Sequence, residues 1–294
     1  MDPYHQGSRA VQTRVGVREA ADHVGRSIGQ DIRDVAAAFL GLQPMLVIGA
    51  ADGAGRMWSS LLTGAPGFVR ATGPRRISVA GGLPDGDPLA AALAAEGTAV
   101  GTIALDPRTR RRMRLNGTAG PTARGFAVEA EQVFSNCPKY LQKRDLQRDQ
   151  HESVPARSGA VRHGRELTPG QERFIHAADT FFIATASADG ADASHRGGNP
   201  GFVRVTAPNA LSWQDYGGNS MFLTLGNLEN DPRAGLLFLD WSTGTTLQLS
   251  GTATTAFGAH GRTNRFTVAE VVETPHASPL RWSAPEYSPA NPPL

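Results

Sequence analysis

The chain repeats itself, and that limits the folds open to it more than any other feature. Pro66-Gly67-Phe68-Val69-Arg70 returns as Pro200-Gly201-Phe202-Val203-Arg204, an offset of 134 residues (66 to 200). The same offset carries Gly101–Asp106 onto Gly235–Asp240, and Gly117-Thr118-Ala119 onto Gly251-Thr252-Ala253. Upstream, the turns Asp52-Gly53 and Asp189-Gly190 lie 137 apart (52 to 189). Downstream, Phe126-Ala127-Val128 aligns with Phe266-Thr267-Val268 at 140 (126 to 266), so short insertions flank a constant centre. Solenoid units are only about 20–50 residues long, so this period marks two homologous domains and not a stacked array. The expected division is a diverged first domain over 1–143, a polar, aromatic-free linker over 144–166, and a second domain over 167–294.

Each copy opens on a helical pattern and continues as short strands. Val17, Ala21, Val24, Ile28, Ile32, Val35 and Phe39 recur at three-and-four spacing, which predicts one helix across that stretch. In the second copy Thr168, Pro169 and Gln171 predict an N-cap, a first-turn proline and a capping box, with Phe174, Ile175 and Ala178 facing inward. Strands are expected at Phe181–Ala186, Gly201–Thr206, Ala210–Trp213, Ala234–Asp240 and Thr245–Ala253. A short helix is expected over Leu223–Asn230, stopped by Asp231-Pro232. Arg112-Met113-Arg114-Leu115 alternates, with the apolar pair inward and the arginines outward. Many short strands around one short helix predict a mainly β fold of two barrels, which also removes exposed sheet edges.

Composition narrows the function classes. The net charge is +2 over 294 residues, too near neutrality to signal nucleic-acid binding. Cations are nearly all arginine; Lys139 and Lys143 are the only lysines. The single cysteine, Cys137, excludes an internal disulfide framework and a cysteine zinc site. The histidines show no paired metal-ligand spacing, so no metal is expected. The start of the chain, Met1–Ala10, has no apolar signal core, and Val35–Ala51 is broken by Gln43 and Pro44, so a cytoplasmic protein without a membrane span is expected.

Against this background the second copy resembles the FMN-binding split-barrel family of pyridoxamine 5′-phosphate oxidase-like proteins. Ser194-His195-Arg196-Gly197-Gly198-Asn199-Pro200-Gly201-Phe202-Val203-Arg204-Val205 resembles the strand that lines the flavin there. Tyr216–Ser220, Leu225–Leu228, Asn230–Arg233 and Gly235–Phe238 resemble the loop–helix–strand unit whose loop and helix start hold the flavin phosphate. In the first copy Arg111–Gly117 and Gln132–Tyr140 resemble further family segments. The resemblance is good over Leu167–Gly251 and weak over Phe39–Tyr140. It implies a barrel that binds flavin at a dimer interface, here imitated by two domains of one chain. Two departures matter. Ser60-Leu61-Leu62-Thr63-Gly64 stands where the second copy has Ser194–Gly198, so the first copy lacks the His-Arg pair. Gly218-Asn219-Ser220 stands where a true pyridoxamine phosphate oxidase has a basic Ser-Arg-Lys loop, which argues against that substrate.

Candidate cofactor residues follow. Ser194, His195 and Arg196, with Gly197 and Gly198 allowing close backbone approach, fit an anion. Asn219 and Ser220 suit phosphate or ribityl oxygens, with Asn227 as a weaker candidate or a helix cap. Arg112 and Arg114 could close the anion site from the other domain, the alternative being a solvated strand face. Trp213, Tyr216 or Trp241 could flank a flavin ring, though buried aromatics are more often core. Lys139, beside Cys137 and Tyr140, completes the set, and no catalytic acid or base is assigned. The expected cofactor is FMN, with FAD, deazaflavin F420 and haem as alternatives. The partners would be a small-molecule substrate and an electron donor or acceptor, with neither nucleic acid nor membrane. The proline-rich tail Ser283–Leu294 and exposed barrel surface leave room for a homodimer. The rival readings are a non-catalytic flavin or haem carrier and a ligand-free interaction module.

Overall fold

A computed structural model describes residues 2–147, 159–259 and 261–293. The first half contains helices α1 (Gln6–Arg14), α2 (Arg18–Gly25) and α3 (Asp34–Gly41), then strands β1 (Met45–Ala51), β2 (Met57–Thr63), β3 (Val69–Gly73) and β4 (Arg76–Ala80). Helix α4 (Ala90–Leu93) and strands β5 (Thr98–Asp106), β6 (Arg111–Thr122) and β7 (Gly125–Ser135) complete it. Two short strands follow, β8 (Leu146–Gln147) and β9 (Arg162–Gly164). The second half holds α5 (Pro169–Ala177), β10 (Thr180–Ser187), β11 (Gly190–Gly197), β12 (Val203–Ala207), β13 (Ala210–Asp215) and α6 (Leu223–Asn230). It ends with β14 (Arg233–Leu239), β15 (Thr246–Gly258), β16 (Gly261–Thr274) and β17 (Arg281–Trp282).

The repeat is a repeat of topology. The first sheet runs β2-β1-β5-β6-β7-β4-β3, and the second runs β11-β10-β14-β15-β16-β13-β12, the same order strand for strand. The recurring residues mark its corners. Gly67 and Gly201 take φ of +95° and +93° in equivalent turns, a region closed to most side chains. Gly117 and Gly251 sit at equivalent bulges in β6 and β15, where a Cβ would lie 1.9 Å from the carbonyl oxygens of Glu129 and Thr267.

Each barrel has its own core, and a third core joins them. Leu46, Ile48 and Ala50 of β1 point into the first barrel, whereas Met45 and Val47 point out into the interface. Likewise Phe181 and Ile183 of β10 fill the second barrel, and Phe182 joins Met45, Ile103, Leu237 and Trp241 between the barrels. Burial on both faces explains why β1 and β10 read as unbroken apolar runs instead of alternating ones. The barrels meet about a pseudo-two-fold axis. A Cβ on Gly101 of β5 would lie 2.4 Å from the backbone of Asp192 in β11, and one on its equivalent, Gly235, would lie 2.5 Å from Trp58 Cα in β2.

Two expectations need correction. The predicted helix over residues 17–39 is broken into α2 and α3, because Gly29 leaves the helix to exchange backbone hydrogen bonds with Val133. Val35, placed on the apolar stripe, is 74% exposed. The outward arginines of β6 do not form a solvated strand face: β6 turns that face to β11 of the other barrel, where Arg114 is buried and Arg112 half-buried. The helix α5 has the expected capping box, with the Thr168 and Gln171 side chains each accepting the other's backbone N–H. Part of the expected linker 144–166 is strand, β8 pairing with β17 and β9 with β16, while its residues 148–158 lie outside the described ones. Among the described residues no helix is long and apolar enough to cross a membrane.

Candidate functional site

A cleft of about 920 Å³, its open mouth included, lies where the two barrels meet. The first half contributes Arg112 and Arg114 from β6 and, after β7, Asn136, Cys137, Lys139 and Tyr140. The second contributes Ser194, His195, Arg196 and Gly197 from β11, Trp213 and Asp215 from β13, the loop that carries Asn219 and Ser220, and the first turn of α6. Three residues weighed for the site lie elsewhere. Asn227 faces β10, where its amide donates to Thr185 Oγ1 at 3.0 Å. Gly198 accommodates the Phe202 side chain, 2.7 Å from where its Cβ would be. Gly197 borders the cleft, but the close approach it permits is that of the Tyr140 carbonyl oxygen, 2.0 Å from its Cβ position, and not of an anion. Trp241 packs edge-on to Trp282 in the interface core, 5.8 Å between ring centroids, away from the cleft.

Positive charge converges here without matching negative charge. Arg114 is ion-paired with Asp192, which also accepts from the Asn116 amide. Arg262 donates to Asp215 at 2.7 Å, and Arg196 lies 4.0 Å from the same carboxylate. Arg112 has no ion pair among the described residues; its guanidinium donates to His195 Nδ1 at 2.6 Å and to the Cys137 carbonyl. Burial first, and then the charges of Arg196 and Arg114, pull its pKa down to about 10. It therefore stays charged at neutral pH, a half-buried cation with no counter-ion among the described residues.

The arginine also fixes the state of His195. A guanidinium only donates, so Nδ1 must accept and the proton of the neutral ring resides on Nε2. Burial, followed by the charges of Arg112, Arg196 and Arg144, holds the ring's pKa well below its ordinary 6.5. His195 Nε2 is itself buried and has no partner among the described residues, and the same is true of Trp213 Nε1 and Arg112 Nε. Buried N–H groups are seldom left unpaired. The cleft wall thus presents donors.

The mouth is formed by backbone in sparsely populated conformations. Tyr140, Ser220 and Phe222 have φ of +64°, +63° and +56°. Tyr140 reaches across to donate to the Gly217 carbonyl at 2.8 Å, and its ring lies 5.2 Å from that of Tyr216. Phe222 is the N-cap of α6 and offers no side-chain cap, so the first-turn N–H groups at Leu223–Leu225 have no capping side chain. Such strain in non-glycine residues is typical of ligand sites.

Neither Asp215 nor Arg262 stood out in the sequence. They face each other across the β13–β16 pair, a register that no local motif reports.

Two split barrels packed about a pseudo-dyad, with a cationic cleft on their seam, define a tandem split-barrel protein. Residues 167–284 match the family model for pyridoxamine 5′-phosphate oxidase. The second half is thus similar to that family, and the first half repeats its strand order. No curated protein matches the chain. Among solved structures, a candidate pyridoxamine 5′-phosphate oxidase from Lactobacillus delbrueckii is 17% identical, with a TM-score of 0.30 over 37% of this chain and 94% of that one. An FAD-binding protein from Mesorhizobium loti is 10% identical, with a TM-score of 0.30 over 40% and 99%. HupZ from Group A Streptococcus is 16% identical, with a TM-score of 0.28 over 35% and 89%.

Proposed function

We propose that the chain is a flavin-dependent oxidoreductase that takes FMN in the seam cleft and acts on a small molecule other than pyridoxamine phosphate. The observation that carries this is Arg112, a half-buried guanidinium with no counter-ion among the described residues, set among unpaired donors. A phosphorylated cofactor supplies the missing anion and the missing acceptors together. Arg112, Arg196, Asn219, Ser220 and the uncapped start of α6 would hold the phosphate end. Trp213 and Tyr216 would border the ring, with Ser194, His195, Arg114 and Lys139 around its polar edge. Bound flavin would supply hydride and electron transfer, exchanged with a separate donor or acceptor. The protein's contribution is placement, exclusion of water and a neutral donor at His195 Nε2. The absence of a basic Ser-Arg-Lys loop at Gly218-Asn219-Ser220 supports a substrate without a phosphate.

The tautomer of His195 weighs against haem. A neutral imidazole that accepts at Nδ1 has no lone pair at Nε2 to give to iron. A ligand-free module would leave His195 Nε2 and Trp213 Nε1 buried and unpaired, which is costly.

The test is the visible spectrum of purified protein with and without added FMN, followed by titration of Arg112→Met and Arg196→Ala. Loss of a charge-assisted hydrogen bond to phosphate weakens binding by about ten- to a hundredfold. A flavin band that weakens by that margin in both variants is the expected result. A Soret band, or no binding of any flavin, overturns the reading.

A further inference from the structure

Helix α1 belongs to the first half in sequence yet packs on α6 of the second. Its contact is unusual in composition. The residues it buries are Gly7, Ser8, Val11 and Gln12. Little apolar area is gained by burying these, so the hydrophobic effect alone does not account for the docking. The fit is specific instead. A Cβ on Gly7 would lie 2.1 Å from the Gly226 carbonyl oxygen, and one on Gly226 would lie 2.4 Å from the Ser8 nitrogen, so the helices cross with their backbones in contact. At the outer end Arg14 pairs with Glu229 at 2.7 Å.

Gln12 is fully buried, and its amide donates to the Met221 carbonyl oxygen at 3.0 Å. Met221 lies between Ser220 and Phe222, the two left-handed residues of the loop that leads into α6. Its nitrogen donates to Asn219 Oδ1 at 3.2 Å, and its side chain is buried with Tyr4, Ala21, Phe134 and Leu223. One loop residue is therefore held by main chain and side chain alike, and both of its neighbours are kept in conformations they would otherwise leave.

We infer that α1 is a clamp that keeps the Asn219–Phe222 loop in its anion-binding shape before ligand arrives, and that Gln12 is its positioning residue. This rests on the cofactor reading above. Gln12 does not touch the cleft; it acts through Met221. Without it the loop relaxes, and the amides that face the phosphate turn away, whereas contacts to the flavin ring are untouched. The clamp therefore separates two ligands that differ only in the phosphate.

The experiment uses the full chain with Gln12→Met, which keeps the side chain's length and removes the donor. Hydrogen exchange of the ligand-free protein is compared with wild type over residues 219–225, and affinities for FMN and for riboflavin are measured by quenching of flavin fluorescence. Faster exchange confined to that segment, FMN binding weakened by about tenfold and unchanged riboflavin binding are expected. Unchanged exchange overturns the clamp, whatever the ligand results. Equal loss of both flavins overturns the positioning role, since it marks general damage. Arg14→Ala, at the exposed end of the same helix, should leave the FMN-to-riboflavin ratio at its wild-type value. If Gln12→Met does not fold, Gln12→Glu, which sets a carboxylate against the Met221 carbonyl, is measured in the same way. A wild-type chain that binds neither flavin but shows faster loop exchange in the variant refutes the cofactor reading and leaves the clamp standing.

Discussion

At the scale of single residues, His195 links the cleft to pH. Its folded pKa is depressed by burial, so between that value and 6.5 the unfolded chain takes up a proton that the folded chain refuses. The stability held above pH 6.5 is therefore lost as pH falls, by up to about a tenfold change in the folding equilibrium per pH unit. Urea unfolding of wild type and His195→Gln at pH 7.0, 6.0 and 5.5 checks this: the variant should show a flatter decline. The electrostatics of the site were only partly legible. Arg112 and Arg196 stand out in the sequence as groups suited to an anion, whereas Gly197-Gly198, read the same way, makes room for the Tyr140 carbonyl and the Phe202 ring. That Arg112 donates to His195, 83 residues away, and so fixes its tautomer, depends on β6 facing β11. Nor does the sequence tell that Arg114 spends its charge on Asp192 while Arg112 keeps its own.

At the scale of elements, Gly197 is the joint between strand β11 and the segment after β7. Its Cβ would collide with the Tyr140 carbonyl oxygen, main chain on both sides, so Gly197→Ala must displace one strand end. Overpacking of this kind costs about 1–3 kcal/mol. Chemical denaturation should show that loss, and FMN affinity should fall with it because Tyr140 closes the mouth. Local signals predicted local structure well: the Asp231-Pro232 stop ends α6 at Asn230, and the Thr168–Gln171 box starts α5. The pattern over residues 17–39 misled because its period is helical throughout, while the break at Gly29 is imposed by pairing with Val133, remote in sequence. The docking of α1 on α6 was hidden for the same reason, and its polar buried face gives no periodic apolar signal.

At the scale of the whole molecule, the pseudo-dyad offers two places for a cleft, and only one retains the cationic set. Leu61 and Leu62 stand where the second half has His195 and Arg196, and Thr246 and Gln248 stand where the first has Arg112 and Arg114. Gln248 donates to Ser60 Oγ at 2.9 Å and to Asp87 Oδ2 at 3.2 Å, while Ser60 donates to Asp87 Oδ1 at 2.7 Å. This closed network needs no ligand to satisfy it. Titration of the full chain should therefore saturate at one FMN per chain; a second equivalent of similar affinity would show that the mate position opens.

The join between the barrels has a consequence for descent. In a homodimer of single barrels, every substitution is written twice, and a change that improves one cleft must be tolerated at its twin. Here Trp58, whose indole N–H donates to Asp52, occupies the position that Asp192 holds in the other half. One side of the axis has become filler and the other an ion pair, a divergence closed to a symmetric pair of identical chains. Covalent fusion gives each half an independent history, so selection can sharpen one cleft while the other drifts into scaffold.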